Sequence, residues 1–209
     1  MRRECDEILL YNLFMKKFLV ILILILTFQT PSQADDIRDF QIDGMSIGDS
    51  LLDFLDKSEI KKTYFTGTNS KTFVSSYNIM NSKIYDGIQF HYKSLDKKFI
   101  LHGISGIVEY SNKNIEKCHD KISVIFSELE NMFPTAKIDK ESLYNHPSDK
   151  KGESKVLESQ FILNDGGEIK ISCTMWSERM QSKHNWFSHL RVSVATAEFL
   201  KWLDKIYYP

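Results

Sequence analysis

Two periodicities alternate along the chain. Ile115, Cys118, Ile122, Ile125, Leu129 and Met132 recur at steps of three and four, the stripe of an amphipathic helix. Asn114 is a good cap for it and Pro134 ends it after Phe133, so the helix is predicted over about 114–133. Further on, Ile169, Ile171, Cys173 and Met175 alternate with Lys170, Ser172 and Thr174, the pattern of a half-buried strand.

The same reading assigns the remaining elements. Strands are predicted at 72–79, 84–93 and 98–110 before the long helix, and at 155–164, 168–176 and 186–194 after it. Ser50 and Asp53 form a capping box for a short helix through Leu51, Leu52, Phe54 and Leu55, which restarts near Ser58 and buries Ile60. Residues 67–70 make a turn. The polar stretch from Thr135 to Ser154, with His146-Pro147 and Lys150-Lys151-Gly152, reads as a loop. Thr196 caps a last helix carrying Phe199, Leu200, Trp202, Leu203 and Ile206.

Two hairpin registers follow from keeping apolar residues on one face. Turning at Ser94-Leu95-Asp96-Lys97 pairs Lys93 with Lys98, Tyr92 with Phe99 and Phe90 with Leu101. Gly103 and Gly106 mark a bend or bulge. At Asp165-Gly166-Gly167, a three-residue loop with Gly167 left-handed pairs Phe161 with Ile171 and Leu163 with Ile169. The predicted fold class is α+β: antiparallel meanders of about three strands alternating with helices, α-βββ-α-βββ-α, with helix packed on sheet. One six-stranded sheet or two packed sheets would both satisfy it.

Ahead of this pattern the chain reads as an export signal. Met15-Lys16-Lys17 supplies a positive start. Phe18 to Phe28 is an apolar run broken only by Thr27, and Pro31-Ser32-Gln33-Ala34 places small residues before a cut at Asp35. The run is about half the roughly 20 residues a membrane span needs. Glu4, Asp6 and Glu7 fit a positive start poorly, which places the true start at Met15. The expected organisation is therefore residues 1–34 as signal peptide and 35–209 as one globular domain, periplasmic or secreted, with no stable membrane span after cleavage.

Composition supports a globular fold, with 42% hydrophobic residues. The formal net charge of −1, with no basic stripe, argues against a nucleic-acid partner. Of three cysteines, Cys5 lies in the signal. Cys118 on the helix stripe and Cys173 on the apolar strand face both point into one core. In an exported protein this predicts a disulfide between them.

Candidate chemistry is sparse. In the register above, His91 and His102 share a face as diagonal neighbours, about 7–8 Å apart at Cα. They are a candidate metal pair lacking an identified third ligand, against the alternative of two unrelated packed histidines. His184 and His189 are badly spaced for a metal, and Cys118-His119 point about 100° apart on a helix. Gly44 to Gly48 precedes a helix but is ringed by Asp43, Asp49 and Asp53, which suits a structural turn better than an anion site. Trp176, Arg179, His184 and Trp186 flank the 177–185 loop, where aromatics beside polar groups form either a ligand-contact surface or a closed core edge.

The stretch from Ile42 to Asp53, IDGMSIGDSLLD, together with Tyr85 to Phe90 and Ile104-Ser105-Gly106, resembles a group of uncharacterised exported bacterial proteins. That resemblance implies export and a shared fold, and no activity. Gly44-Met45-Ser46 is also similar, over those few residues, to small outer-membrane assembly proteins of the BamE type. The expected function is a non-enzymatic binding or interaction protein of the bacterial periplasm or envelope. No cofactor is implied, and the partner is an envelope protein or a small ligand. The alternative is a periplasmic hydrolase or metal-dependent enzyme built on His91 and His102.

Overall fold

The computed structural model describes residues 36–62, 64–65, 71–78 and 82–207. The signal segment of residues 1–34 and the turn expected at 67–70 lie outside the described residues. A 3-10 turn over Ile37–Asp39 leads into a small hairpin of β1 (Gln41–Ile42) and β2 (Met45–Ser46). The helix expected after Ser50 is shorter than predicted. Leu51–Asp53 is a single 3-10 turn in which the Ser50 hydroxyl accepts from the Leu52 N–H. The helix proper is α1 (Lys57–Lys62), which buries Ile60 and whose Glu59 carboxylate accepts from the Asp56 N–H. A capping contact of this kind forms six residues later than the sequence suggested.

Four strands come next: β3 (Tyr64–Phe65), β4 (Phe73–Asn78), β5 (Gly87–Lys93) and β6 (Leu101–Tyr110). After them come α2 (Ile115–Met132), β7 (Lys137–Asn145), β8 (Lys155–Ile162), β9 (Glu168–Met175), α3 (Glu178–His184), β10 (Ser188–Ala195) and α4 (Ala197–Tyr207). The fold is a mixed helix-and-sheet one, as expected, but richer in strand. Seven strands and the two-residue β3 form one antiparallel sheet in the order β3-β4-β5-β6-β10-β9-β8-β7. The N-terminal meander β4-β5-β6 and the C-terminal meander β7-β8-β9-β10 meet along β6 and β10, which pair from Ser188 with Tyr110 to Ala195 with Gly103.

Two predicted loops are corrected. Residues 137–145 form an edge strand paired to β8. All its positions but Ile138 are exposed, so it has no apolar alternation to read, and its charges suit an unpaired edge. Residues 178–184 form α3, opened by the Ser177 hydroxyl accepting from the Met180 N–H and closed by Asn185 in the left-handed conformation.

Both hairpin registers are also corrected. Tyr92 pairs with Leu101, but His91 pairs with Gly103, so His102 is the extra residue of a bulge. The connection is held by the Asp96 carboxylate, which accepts from the N–H groups of Lys98 and Ile100. At the second hairpin Phe161 pairs with Ile169, because Gly166 rather than Gly167 takes positive φ. The Gly167 N–H donates to the Asp165 side chain.

The core lies on one face of this sheet. Ile88, Phe90 and Tyr92 of β5, Ile104 of β6, Leu190, Val192 and Val194 of β10 and Ile169, Ile171 and Cys173 of β9 are buried there. They pack with Cys118, Ile122, Phe126 and Leu129 of α2. The helix is turned slightly from the predicted stripe: Phe126 is buried, while Met132 is 41% exposed. Cys118 and Cys173 join helix to sheet, with sulfurs 2.00 Å apart and Cα atoms 6.1 Å apart.

Alternation along the strands puts a second set of residues on the opposite face. Gln89 and His91, Ser105 and Ile107, His189, Arg191 and Ser193 occupy its middle. Helix α4 covers one end of this face through Phe199, which is 3% exposed. The segment from Trp176 to Phe187 borders the other.

Candidate functional site

Between the residues flanking α3 and the second face of the sheet lies a cleft of about 430 Å³, lined by Tyr77, Ile107, Glu109, Trp176, Asn185, Trp186, Phe187, His189 and Arg191. Its size falls within the roughly 300–1,000 Å³ typical of small-molecule sites. A wider hollow of about 610 Å³ shares Glu109 and Phe187 with it but is otherwise lined by Tyr110, Ser111, Asn112, Glu178 and Gln181. A smaller cavity of about 280 Å³ lies under α4, between Phe199, Leu200, Leu203 and the strands, and Arg191 lines this one too.

The aromatic wall is built as a ladder of rings. His146 from the β7–β8 connection lies 4.1 Å from Trp176, and Trp176 lies 4.4 Å from Trp186. His184 at the end of α3 stacks on Trp186 at 4.4 Å and 19°. Trp176 is fixed at its backbone. Its N–H donates to the Ser188 hydroxyl at 2.9 Å, and its carbonyl accepts from the Gln181 side chain at 2.8 Å. Trp186 and Phe187 stay 36% and 51% exposed at the rim. On the far side, Tyr77 lies flat over Gly87. A Cβ there would fall 1.9 Å from the Tyr77 hydroxyl, so only glycine leaves room for the ring.

Arg191 forms the floor. Its Nη1 donates to the Gln89 side-chain oxygen at 2.6 Å. Among the described residues no carboxylate lies within ion-pair distance of it. Burial pushes its pKa below the ordinary value, with Tyr77 pulling the other way. The same charge, after burial itself, helps push His91 down to about 3. His189 is pushed down to about 4, again mainly by burial, while its Nδ1–H donates to the Phe187 carbonyl at 2.9 Å. Glu109 on the rim is raised, first by burial and then by Asp86.

The residues singled out in the sequence are only partly brought together. Trp176 and Trp186 line the cleft. His184 backs Trp186 from outside it. Arg179 turns away and is bound to the Asp149 carboxylate and, at 3.0 Å, to Glu153. Asp149 also accepts from the hydroxyl and N–H of Ser154 and from the N–H of Lys151. The Ser154 hydroxyl is the main reason this carboxyl sits well below the usual range. Arg179 thus ties α3 to the β7–β8 connection.

His91 and His102 each pack against a phenylalanine. The Nδ1 of His91 lies 2.8 Å from the Ser75 hydroxyl and its ring stacks on Phe199 at 4.4 Å. His102 meets Phe73 edge-on at 5.2 Å, with its Nδ1 3.6 Å from Glu198. Among the described residues, no group of three or more His, Cys, Asp or Glu side chains is placed to hold a metal ion.

Arg191, Gln89, Tyr77 and Phe187 were not singled out in the sequence. The available signal was a cation in the polar phase of a strong strand, between His189 and Ser193. No protein-family model, curated protein or solved structure gives a match to this chain.

Proposed function

We propose that this protein is an exported, non-enzymatic binding protein that holds a small ligand with a flat apolar body in the cleft between α3 and the sheet. The observation that carries the reading is the pair Trp186 and Phe187, exposed beside a cavity whose other walls are fixed. Large apolar side chains kept at the surface around a concave site favour an occupant. Trp186 is held by the ring ladder, and both residues follow directly on the Asn185 cap of α3, so little ordering is needed on binding.

The location rests on other grounds. The signal pattern ahead of Asp35 and the bonded Cys118–Cys173 pair both suit an oxidising compartment outside the cytoplasm. No helix among the described residues is long and apolar enough to cross a membrane.

A native mass of the protein recovered from the envelope fraction of its own cells tests both parts. The expected species starts at Asp35, lacks two hydrogens relative to the reduced chain and carries the mass of a small molecule. That added mass should vanish in a Trp186→Ala, Phe187→Ala double variant. Free thiols or a retained leader would remove the exported reading, and a ligand that persists in the double variant would remove the cleft.

A further inference from the structure

We propose that the ligand of this cleft is a monoanion, a carboxylate attached to a flat apolar body, with its carboxylate seated on Arg191. The inference rests on the reading of the cleft as a ligand site and names the chemistry of its occupant.

A guanidinium drawn from water into a protein wall is unfavourable unless an anion compensates it. The described residues supply none. Among the described residues, the hydrogen-bond partner of the Arg191 side chain is neutral, the Gln89 side-chain oxygen at 2.6 Å. The acids near the floor are engaged elsewhere or stand apart. Glu168 and Glu158 lie 3.3 and 3.5 Å from Lys170. Glu109 lines the same cleft, but it makes no ion pair with Arg191.

Arg191 also lies where a ligand would meet it, as the wall shared by the aromatic cleft and the cavity under α4. Gln89 holds one edge of the planar fork, which fixes the plane in which the remaining N–H groups can donate. Carboxylates are bound by guanidinium through such parallel N–H donors. Arg191 is the one Lys or Arg among the residues lining the cleft, which suits one negative charge, and Glu109 in the same lining disfavours the second charge of a dianionic phosphate. The aromatic rim around Trp186 and Phe187 supplies the surface for the apolar part.

The test compares phenylacetate with its neutral counterpart phenylacetamide on the intact mature protein, by calorimetry and by tryptophan fluorescence. Phenylacetate is expected to bind at least about tenfold tighter, the yield of one charge-assisted pair. That gap should close in Arg191→Met while weak phenylacetamide binding remains. Equal binding of the two probes to the natural protein overturns the carboxylate and leaves the cleft. Binding of neither probe overturns both. The comparison on the natural protein decides the matter even where Arg191→Met fails to fold, and Arg191→Lys, which keeps the charge, should retain part of the gap.

Discussion

Arg191 on β10 reaches over β6 to Gln89 on β5, and the 2.6 Å hydrogen bond between their side chains spans the line where the two meanders meet. A cation held in this way, with no carboxylate among the described residues within ion-pair distance, has consequences for stability that can be measured without knowing the ligand.

Replacing the guanidinium by an apolar chain of similar length should stabilise the empty protein. Arg191→Met is expected to raise the urea midpoint by an amount equivalent to about 1 kcal/mol, because it removes a half-buried charge that has no ion-pair partner among the described residues. Gln89→Leu should do the reverse, lowering stability by about 1–3 kcal/mol, because it strips the charge of its partner. A loss of stability in Arg191→Met would mean that the residue serves the fold instead.

The covalent tie between α2 and β9 closes a separation of 55 residues. On the chain-entropy account, reduction or the Cys118→Ser, Cys173→Ser double variant should cost about 4 kcal/mol. Urea unfolding with and without a reductant measures this. Both thiols sit in the packed core at 0% exposure, so the reduced protein should unfold early while keeping the same far-ultraviolet signature before the transition.

Acid should weaken the fold earlier than its carboxylates alone would require. His91 and His189 titrate near 3 and 4 in the folded chain against an ordinary value of 6.5, both chiefly through burial. His102 and His146 are lowered in the same direction. Between these values the unfolded chain binds more protons, so stability is complete above about pH 6.5 and falls as the pH drops towards 4. Glu109, raised by burial, works in the opposite sense and offsets part of the slope. Unfolding midpoints at several pH values should show the decline, and His91→Gln with His189→Gln should flatten it.

Gly87→Ala should displace the Tyr77 wall on the far side of the cleft. The added methyl would stand 1.9 Å from the Tyr77 hydroxyl and 2.3 Å from its ring carbon, so the ring must swing away. Because the obstacle is the far end of a side chain, the cost should stay near 1 kcal/mol. The Tyr77 ring resonances should move towards solvent-exposed values while those of the core stay in place.

The elements legible in the sequence were those with one buried and one exposed face. The stripe on α2 and the alternation on β9 located both cysteines on facing surfaces. The edge strand β7 was not legible, because nearly every side chain on it is exposed. Helix α3 buries only Met180, and its remaining signals were the two caps, Ser177 and Asn185. The second hairpin register moved by two positions, for Gly166 rather than Gly167 took the left-handed conformation, and the first moved by two at Tyr92 and by three beyond the bulge at His102. Trp176 and Trp186 announced a site by type alone. Arg191 could not, since strand alternation says only that it faces away from the core, and what covers that face arrives from α3 and α4.

The pairing of β6 with β10 also fixes an order of events during synthesis. β6 ends at Tyr110 and its partner begins at Ser188, so the middle of the sheet is the last part of it to close. Until β10 emerges, the first meander carries a ten-residue strand with one row of backbone groups open, which is a template for pairing with another copy of itself. Substitutions that slow the arrival or docking of β10 should therefore appear first as aggregation of nascent chains and only afterwards as a lower melting temperature.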